Sequence, residues 1–245
     1  MPDKQDIARR FARALPSYEQ HATAQAHIAE RLLAVVHTFG RQYGQALEIG
    51  CGSGLYSRLL HQHLSVDCWH INDLCAECAD RVPHGHFIAG DIEQLSLPQR
   101  YDLITSASAF QWLAEPETFS RKLHASLNPG GVLAFSSFTA DNLPEIHALT
   151  GNSLAYPSPD NWQTWLGNNG LIPAYTASEC LTLWFDSPEA VLAHLKYTGV
   201  TALAKQHWTK ATLQDFSRRY RTQYEQNGRV PLSYHPFYLA ATKAP

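Results

Sequence analysis

The first forty residues carry apolar side chains at helical spacing. Ile7, Phe11, Ala14 and Tyr18 form one set, and Ala24, Ile28, Leu32, Val35 and Phe39 a second. Pro16 divides them, because an internal proline removes a backbone donor and clashes with the preceding turn. After Gly40 and Gly44 the pattern changes to short apolar runs, which read as strands at 45–50, 66–72, 86–89, 101–105 and 132–135. Between them lie a helix through Leu59, Leu60 and Leu64, a short helix from about Leu74 and a helix near 116–127. Asn128-Pro-Gly-Gly131 reads as a turn. Strands alternating with helices predict a doubly wound, Rossmann-like α/β fold with a parallel sheet. Residues 139–178 are rich in Pro, Asn and Gly and read as an inserted lid. A sixth strand is expected at 181–185, helices from Ser187 and Thr209, and a last strand within 232–241. Pro236 cannot donate to a ladder, so that strand is expected from Phe237, or with a bulge there. The reading is one domain over 1–245: a helical cap (1–43), a core (44–138), a lid (139–178) and a C-terminal half (179–245).

Composition narrows the class. Hydrophobic residues are 44% of the chain, which excludes a disordered polymer. A net charge of −3 argues against a strongly basic nucleic-acid binder. No apolar run approaches a membrane span, and the N-terminus lacks an apolar leader, so a cytoplasmic protein is expected. The five cysteines are odd in number and scattered, so they do not read as a disulfide framework. Cys75-Ala-Glu-Cys78 lacks the second ligand pair that zinc requires, and His61/His63 and His84/His86 have no metal-ligand spacing, so no metal site is expected.

The strongest chemical signal is Glu48-Ile-Gly50-Cys-Gly52-Ser-Gly54, between a strand and a helix. Glycines there let a ligand lie against main chain at the carboxyl edge of the first strand. The dinucleotide pattern G-x-G-x-x-G fails in both registers, at Leu55 and at Ser57, and no Gly-Lys-Ser/Thr follows. Asp73 ends the second strand, where a carboxylate can accept both hydroxyls of a ribose, or cap the helix that follows. Asp91 follows the third strand, where a carboxylate can accept from an exocyclic amine of adenine. Loop and acids together describe an adenosine site without a pyrophosphate.

These features, in this order, resemble the class I S-adenosylmethionine-dependent methyltransferases over roughly residues 45–136. The resemblance implies a seven-stranded sheet with its last strand antiparallel. It also implies that the glycine loop holds the methionine part of the cofactor, Asp73 the ribose and Asp91 with Ile92 the adenine. Asn72 is the alternative ribose residue. Further blocks extend the likeness. Ile7-Ala-Arg-Arg-Phe11, Ser17-Tyr-Glu-Gln-His21 with Gln25, Phe110-Gln-Trp112, Asn142-Leu-Pro-Glu145, Leu181-Thr-Leu-Trp-Phe-Asp186, Lys196-Tyr-Thr-Gly-Val200 and Gly228-Arg-Val-Pro-Leu-Ser-Tyr-His235 resemble the malonyl-acyl carrier protein O-methyltransferase family of biotin synthesis.

The resemblance implies methyl transfer from S-adenosylmethionine to the free carboxylate of a malonyl thioester, on acyl carrier protein or coenzyme A, giving the methyl ester that primes pimeloyl synthesis. The nucleophile is already ionised, so alignment and exclusion of water carry the catalysis. Tyr18, Gln111, Trp112 and His147 are the candidate substrate-side residues. Tyr18 alternatively packs as a core aromatic, and Gln111 and Trp112 as supports for the next helix. With histidine at 147, a permanent ion pair to the carboxylate is not assured. Arg218, Arg219 and Arg221, with Arg9, Arg10 and Arg13 as a second group, are candidates for docking an acidic carrier, or are solvated helix faces. Two further readings are a methyltransferase for another small-molecule carboxylate, hydroxyl or amine, and a cofactor-binding subunit without turnover.

Overall fold

A computed structural model describes residues 3–82, 84–199 and 208–245. Three helices open the chain: α1 (Lys4–Ala14), α2 (Tyr18–His21) and α3 (Thr23–His37). The break falls beside Pro16, as its ring demands. Alternation follows: β1 (Gln42–Ile49), α4 (Leu55–His63), β2 (Ser65–Asp73), a 3₁₀ turn (Ala76–Arg81), β3 (His86–Ala89), β4 (Tyr101–Ser106), α5 (Pro116–Ser126) and β5 (Leu127–Phe138). The chain continues through α6 (Pro144–Thr150), α7 (Pro159–Asn168), β6 (Leu171–Ser178), β7 (Leu181–Phe185), α8 (Pro188–Tyr197), α9 (Lys210–Tyr224), β8 (Val230–Tyr234) and β9 (Pro236–Lys243).

Seven strands form one sheet in the order β3-β2-β1-β4-β5-β9-β6. The first five are parallel, and β9 runs antiparallel to both of its neighbours. Order reverses between β1 and β4, and in doubly wound sheets that crevice takes the ligand. Alternate strand residues feed opposite faces. On one face Ala46, Ile71 and Leu103 meet Ile28 and Leu32 of α3 and Leu60 of α4. On the other, Leu47, Ile104 and Phe135 meet Phe119 of α5 and Trp162 of α7.

Three expectations need correction. Residues 139–178 are not wholly a lid, because they supply β6, the edge strand beside β9. Its alternating burial fits an edge, and Pro173 is tolerated there beside a register shift. Leu181–Phe185 is a strand, but it pairs only with β8 in a separate ribbon. The single last strand is two, β8 and β9, joined at His235, and β9 begins at Pro236, the one strand position that needs no donor. Two smaller differences follow. The helix from Leu74 is a 3₁₀ turn, and Asn128-Pro-Gly-Gly131 lies inside β5 as an irregularity opposite Tyr101–Leu103.

The ribbon is stitched onto the start of the 139–178 segment. Glu145 accepts from the Ser233 backbone N–H at 3.1 Å and from its hydroxyl at 2.7 Å, and Asn142 Oδ1 accepts from the His235 N–H at 3.0 Å. Sequence blocks about ninety residues apart therefore meet behind one cavity. No helix among the described residues is long and apolar enough to cross a membrane.

Trp162 is fully buried, with ring centroids 4.8 Å from Phe135 and 5.5 Å from Phe110. Removing such a side chain forfeits its burial and leaves a cavity. Trp162→Ala should cost about 3–5 kcal/mol in urea unfolding, with the denaturant slope unchanged.

Candidate functional site

The glycine loop leaves β1 at Gly50, with φ of +74°, +56° and +78° at Gly50, Gly52 and Gly54. Those angles alone disfavour other residues, and the surroundings exclude them. A Cβ on Gly50 would lie 2.4 Å from Cβ of Ala109, and one on Gly54 2.2 Å from the Arg81 carbonyl oxygen. A Cβ on Gly52 would approach the Phe11 ring at 3.1 Å, so the cap comes down onto the loop at this point.

Nine of the twelve site residues expected from the sequence line one cavity. Tyr18, Gly50 and Gly52 stand there with Asn72, Asp73, Asp91, Ile92, Gln111 and Trp112. Asp73 is 8% exposed. Its two oxygens accept from the N–H groups of Gly52 and Cys75, each at 2.8 Å. Burial raises its pKa, and the backbone donors of Cys75, Gly52 and Leu74 work against that rise. Asn72 instead turns its amide to the Ile88 and Gly90 carbonyls, at 2.8 and 3.0 Å. Asp73 is thus the acid at the loop, and Asn72 joins β2 to the end of β3.

Asp91 has a partner that sequence reasoning missed. Lys4 of α1 donates to both of its oxygens, at 2.6 and 2.7 Å, and also to Glu93. Burial would lower the Lys4 pKa, but the two carboxylates outweigh it and raise it. Glu93 in turn accepts from the N–H groups of Ala114 and Glu115, fixing the turn before α5. Tyr18 lies edge-on to Phe11, with centroids 5.1 Å apart. Burial and the nearby Asp73 carboxylate push its phenol well up, so it stays protonated.

Beyond β4, Ser108 holds a left-handed backbone (φ +54°), uncommon outside glycine. Gln111 donates to its carbonyl at 2.5 Å. Gln111 Oε1 and Ser108 Oγ are buried without a hydrogen-bond partner within the protein. Three expected residues stand off the cavity wall. Gly54 serves the turn into α4. Glu48 is buried beneath the loop. His147 is a correction: it is exposed on α6, whose buried residues are Glu145, Ile146 and Leu149.

Also on the cavity wall are Gln25, Asn142, Tyr156, Thr198 and Tyr234. Gln25, Asn142, Thr198 and Tyr234 lie within the blocks quoted above, but nothing local assigned them a role. Tyr156 sits in a stretch without periodicity. Among the described residues no cluster of three His, Cys, Asp or Glu side chains could hold a metal ion, and the five cysteines are free.

A family model described as a methyltransferase domain matches residues 47–135. A malonyl-[acyl-carrier protein] O-methyltransferase of Porphyromonas gingivalis is 43% identical, covering 98% of this chain and 96% of its own. One of Haemophilus influenzae is 37% identical, covering 98% and 94%. The chain belongs to the malonyl-acyl carrier protein O-methyltransferase family. Solved structures agree on the fold. The YcgJ protein of Bacillus subtilis superposes with a TM-score of 0.61 at 15% identity, covering 87% of this chain and 98% of its own. The N-methyltransferase NodS of Bradyrhizobium japonicum, in complex with S-adenosylhomocysteine, does so at 0.54 and 16%, covering 89% and 86%. The blocks at Asn142–Glu145 and within Gly228–His235, quoted above for the resemblance, are the ones that meet behind the cavity. Lys196–Val200 ends at Val200, which lies outside the described residues.

Glu48 yields a pH prediction. Burial pushes its carboxyl up to about 8, opposed by Ser57 and reinforced by Asp73. The folded protein therefore keeps a proton that the unfolded chain releases near pH 4.5. Unfolding then gains stability relative to folding as pH climbs from about 4.5 to 8, so the fold weakens through that window. Without ligand, the Tm of Glu48→Gln should exceed the wild-type value by a margin that grows between about pH 6 and 8. A margin constant with pH would contradict the assignment.

Proposed function

We propose that this chain transfers the methyl group of S-adenosylmethionine to the free carboxylate of a malonyl thioester carried by acyl carrier protein. The observation that carries the reading is full-length similarity to relatives of that name, extending through the elements that wall the cavity.

The cavity fits the cofactor. Gly50 and Gly52 bring main chain without side chains to the cavity wall, with an acid at the end of β2 and an acid-apolar pair after β3. In this reading the glycine loop holds the methionine part and Asp73 the ribose. Ile92 lies against adenine, and Asp91 shares its lone pairs between adenine and Lys4. When bound, the cofactor supplies an electrophilic methyl on a cationic sulfur.

The protein's own work is placement. Malonyl carboxylate is ionised at neutral pH, so no side chain has to take a proton. Tyr18, Gln111 and Trp112 surround the space between loop and substrate wall. They fix the approach of the oxygen and keep water out, which is where alignment lowers the barrier. Esterification removes a charge that would be costly to carry into an apolar acyl pocket.

Mass spectrometry of malonyl-carrier protein after incubation with enzyme and S-adenosylmethionine should show gain of one methyl group. Acetyl-carrier, which has no free carboxylate, should show none. Methylation of neither would overturn the reading.

The docking surface is part of the same reading. Arg218, Arg219 and Arg221 lie on α9 near Asp215 and Glu225, and Glu189 of α8 faces Arg221. Arg9 of the second group pairs with Asp6, and Arg13 is exposed. Surface pairs of this kind are worth little individually, so the arginines remain available to an acidic carrier. Reversing all three on α9 to glutamate should raise KM for malonyl-carrier about tenfold while leaving malonyl-CoA turnover unchanged. Equal loss on both substrates would remove the docking role.

A further inference from the structure

The wall opposite the glycine loop is polar, buried and without a free cation among its described residues. Tyr234 is 1% exposed and lines the cavity from the end of β8. Its hydroxyl lies 2.8 Å from His194 Nε2 on α8 and also hydrogen-bonds with Thr198 and Gln25. Next along the wall, Tyr156 accepts from Asn142 Nδ2 at 3.1 Å. Asn142 is locked by the His235 N–H, so the Tyr156 oxygen already has a donor and its own O–H is left for another acceptor. Gln25 Oε1 is buried without a partner. Tyr18 lies close enough to feel both Asp73 and Tyr234, which puts it between the loop and this wall.

Accepting the reaction read above, we infer that the malonyl carboxylate is held by neutral donors, the hydroxyls of Tyr234 and Tyr156, with His194 and Asn142 as positioning residues. Hydroxyls whose own oxygens already accept a bond are aimed donors. His194 as the Nε2–H tautomer donates to Tyr234, and Tyr234 turns its proton from Thr198 and Gln25 to the substrate carboxylate. Asn142 does the same for Tyr156. Burial lowers the His194 pKa to about 4 and raises both tyrosines, so the pair is neutral at working pH. The other ionisable groups facing Tyr234 are Tyr18, Tyr156 and Tyr220, with His21 near His194 and Glu145 near Tyr220. A neutral clamp discriminates malonyl from acetyl groups, because only an ionised carboxylate gains charge-assisted bonds from both hydroxyls.

The test measures binding of malonyl-CoA and acetyl-CoA to enzyme saturated with S-adenosylhomocysteine, alongside single-turnover methylation. Tyr234→Phe and Tyr156→Phe should each weaken malonyl-CoA about tenfold or more, with acetyl-CoA and S-adenosylhomocysteine affinities unchanged. Asn142→Asp keeps its acceptor for the His235 N–H but draws the Tyr156 proton to itself and adds a negative charge. It should lose malonyl-CoA selectively and more severely than Tyr156→Phe. His194→Gln, which retains a donor, should restore most of what His194→Leu loses. The preference for malonyl-CoA over acetyl-CoA should stay flat from about pH 6 to 8 in the wild type, since neither His194 nor the tyrosines change charge there. Two results would overturn the clamp: unchanged malonyl preference in both phenylalanine variants, or a wild-type malonyl preference that titrates like an imidazole. A wild type that methylates no malonyl thioester would instead overturn the reaction, a result separable from failure of the clamp.

Discussion

The buried carboxylate of Asp73 sets the shape of the glycine-loop end of the cavity. It receives N–H groups from Gly52 in the loop after β1 and from Cys75 after β2. Hydrogen bonds to a charged acceptor are worth about 1.5–3 kcal/mol each, enough to offset part of the cost of burying that charge. Gly50 and Cys51 add backbone bonds to the Asn72 carbonyl at 2.8 and 3.1 Å. Two adjacent strand ends are thus joined into one rigid floor before any ligand arrives. The left-handed glycines are held in place by these bonds as well as permitted by their missing side chains.

A second pair of carboxylates organises what lies above that floor. Asp91 and Glu93 gather Lys4 from the cap, while Glu93 also takes two backbone donors from the turn before α5. Three segments far apart in sequence converge on a few ångströms of the β3 edge. The Lys4 contacts are half-buried, with 22–23% exposure at Lys4 and Asp91. They are therefore less screened than a surface pair, and position the cap so that Phe11 covers Gly52.

The cofactor half was legible because its signals are local. Glycine spacing, an apolar run before it and an acid at the next strand end fall within about thirty residues, and the sheet topology translates that string into one crevice. Pairing partners were not legible. Leu181–Phe185 looked like any strand, and that it joins β8 in a separate ribbon depends on contacts about fifty residues away. Residues 171–178 concealed β6 because an edge strand alternates polar and apolar positions and admits Pro173. His147 misled for a related reason. The inward face of seven-residue α6 is chosen by Ile146, Leu149 and the Glu145–Ser233 bonds, leaving position 147 in solvent. Lys4 and Tyr156 reach the cavity only through tertiary packing, and nothing near them in sequence says so.

A wall of neutral donors suits the proposed reaction on electrostatic grounds. The nucleophile is an anion and the methyl donor a cation, so the two charges shrink together as the new bond forms. A cation on the wall would hold the carboxylate most strongly before reaction and progressively less as its charge drains, which binds the ground state better than the transition state. Hydroxyls lose less in that passage, because their bonds depend partly on geometry that the ester oxygen retains. They also leave the attraction between nucleophile and sulfonium undiluted by a fixed charge on that wall. The burial that keeps His194 uncharged therefore serves the same end as the absence of charge on Tyr234 and Tyr156: this wall sets no fixed charge against the attraction between the two reacting groups.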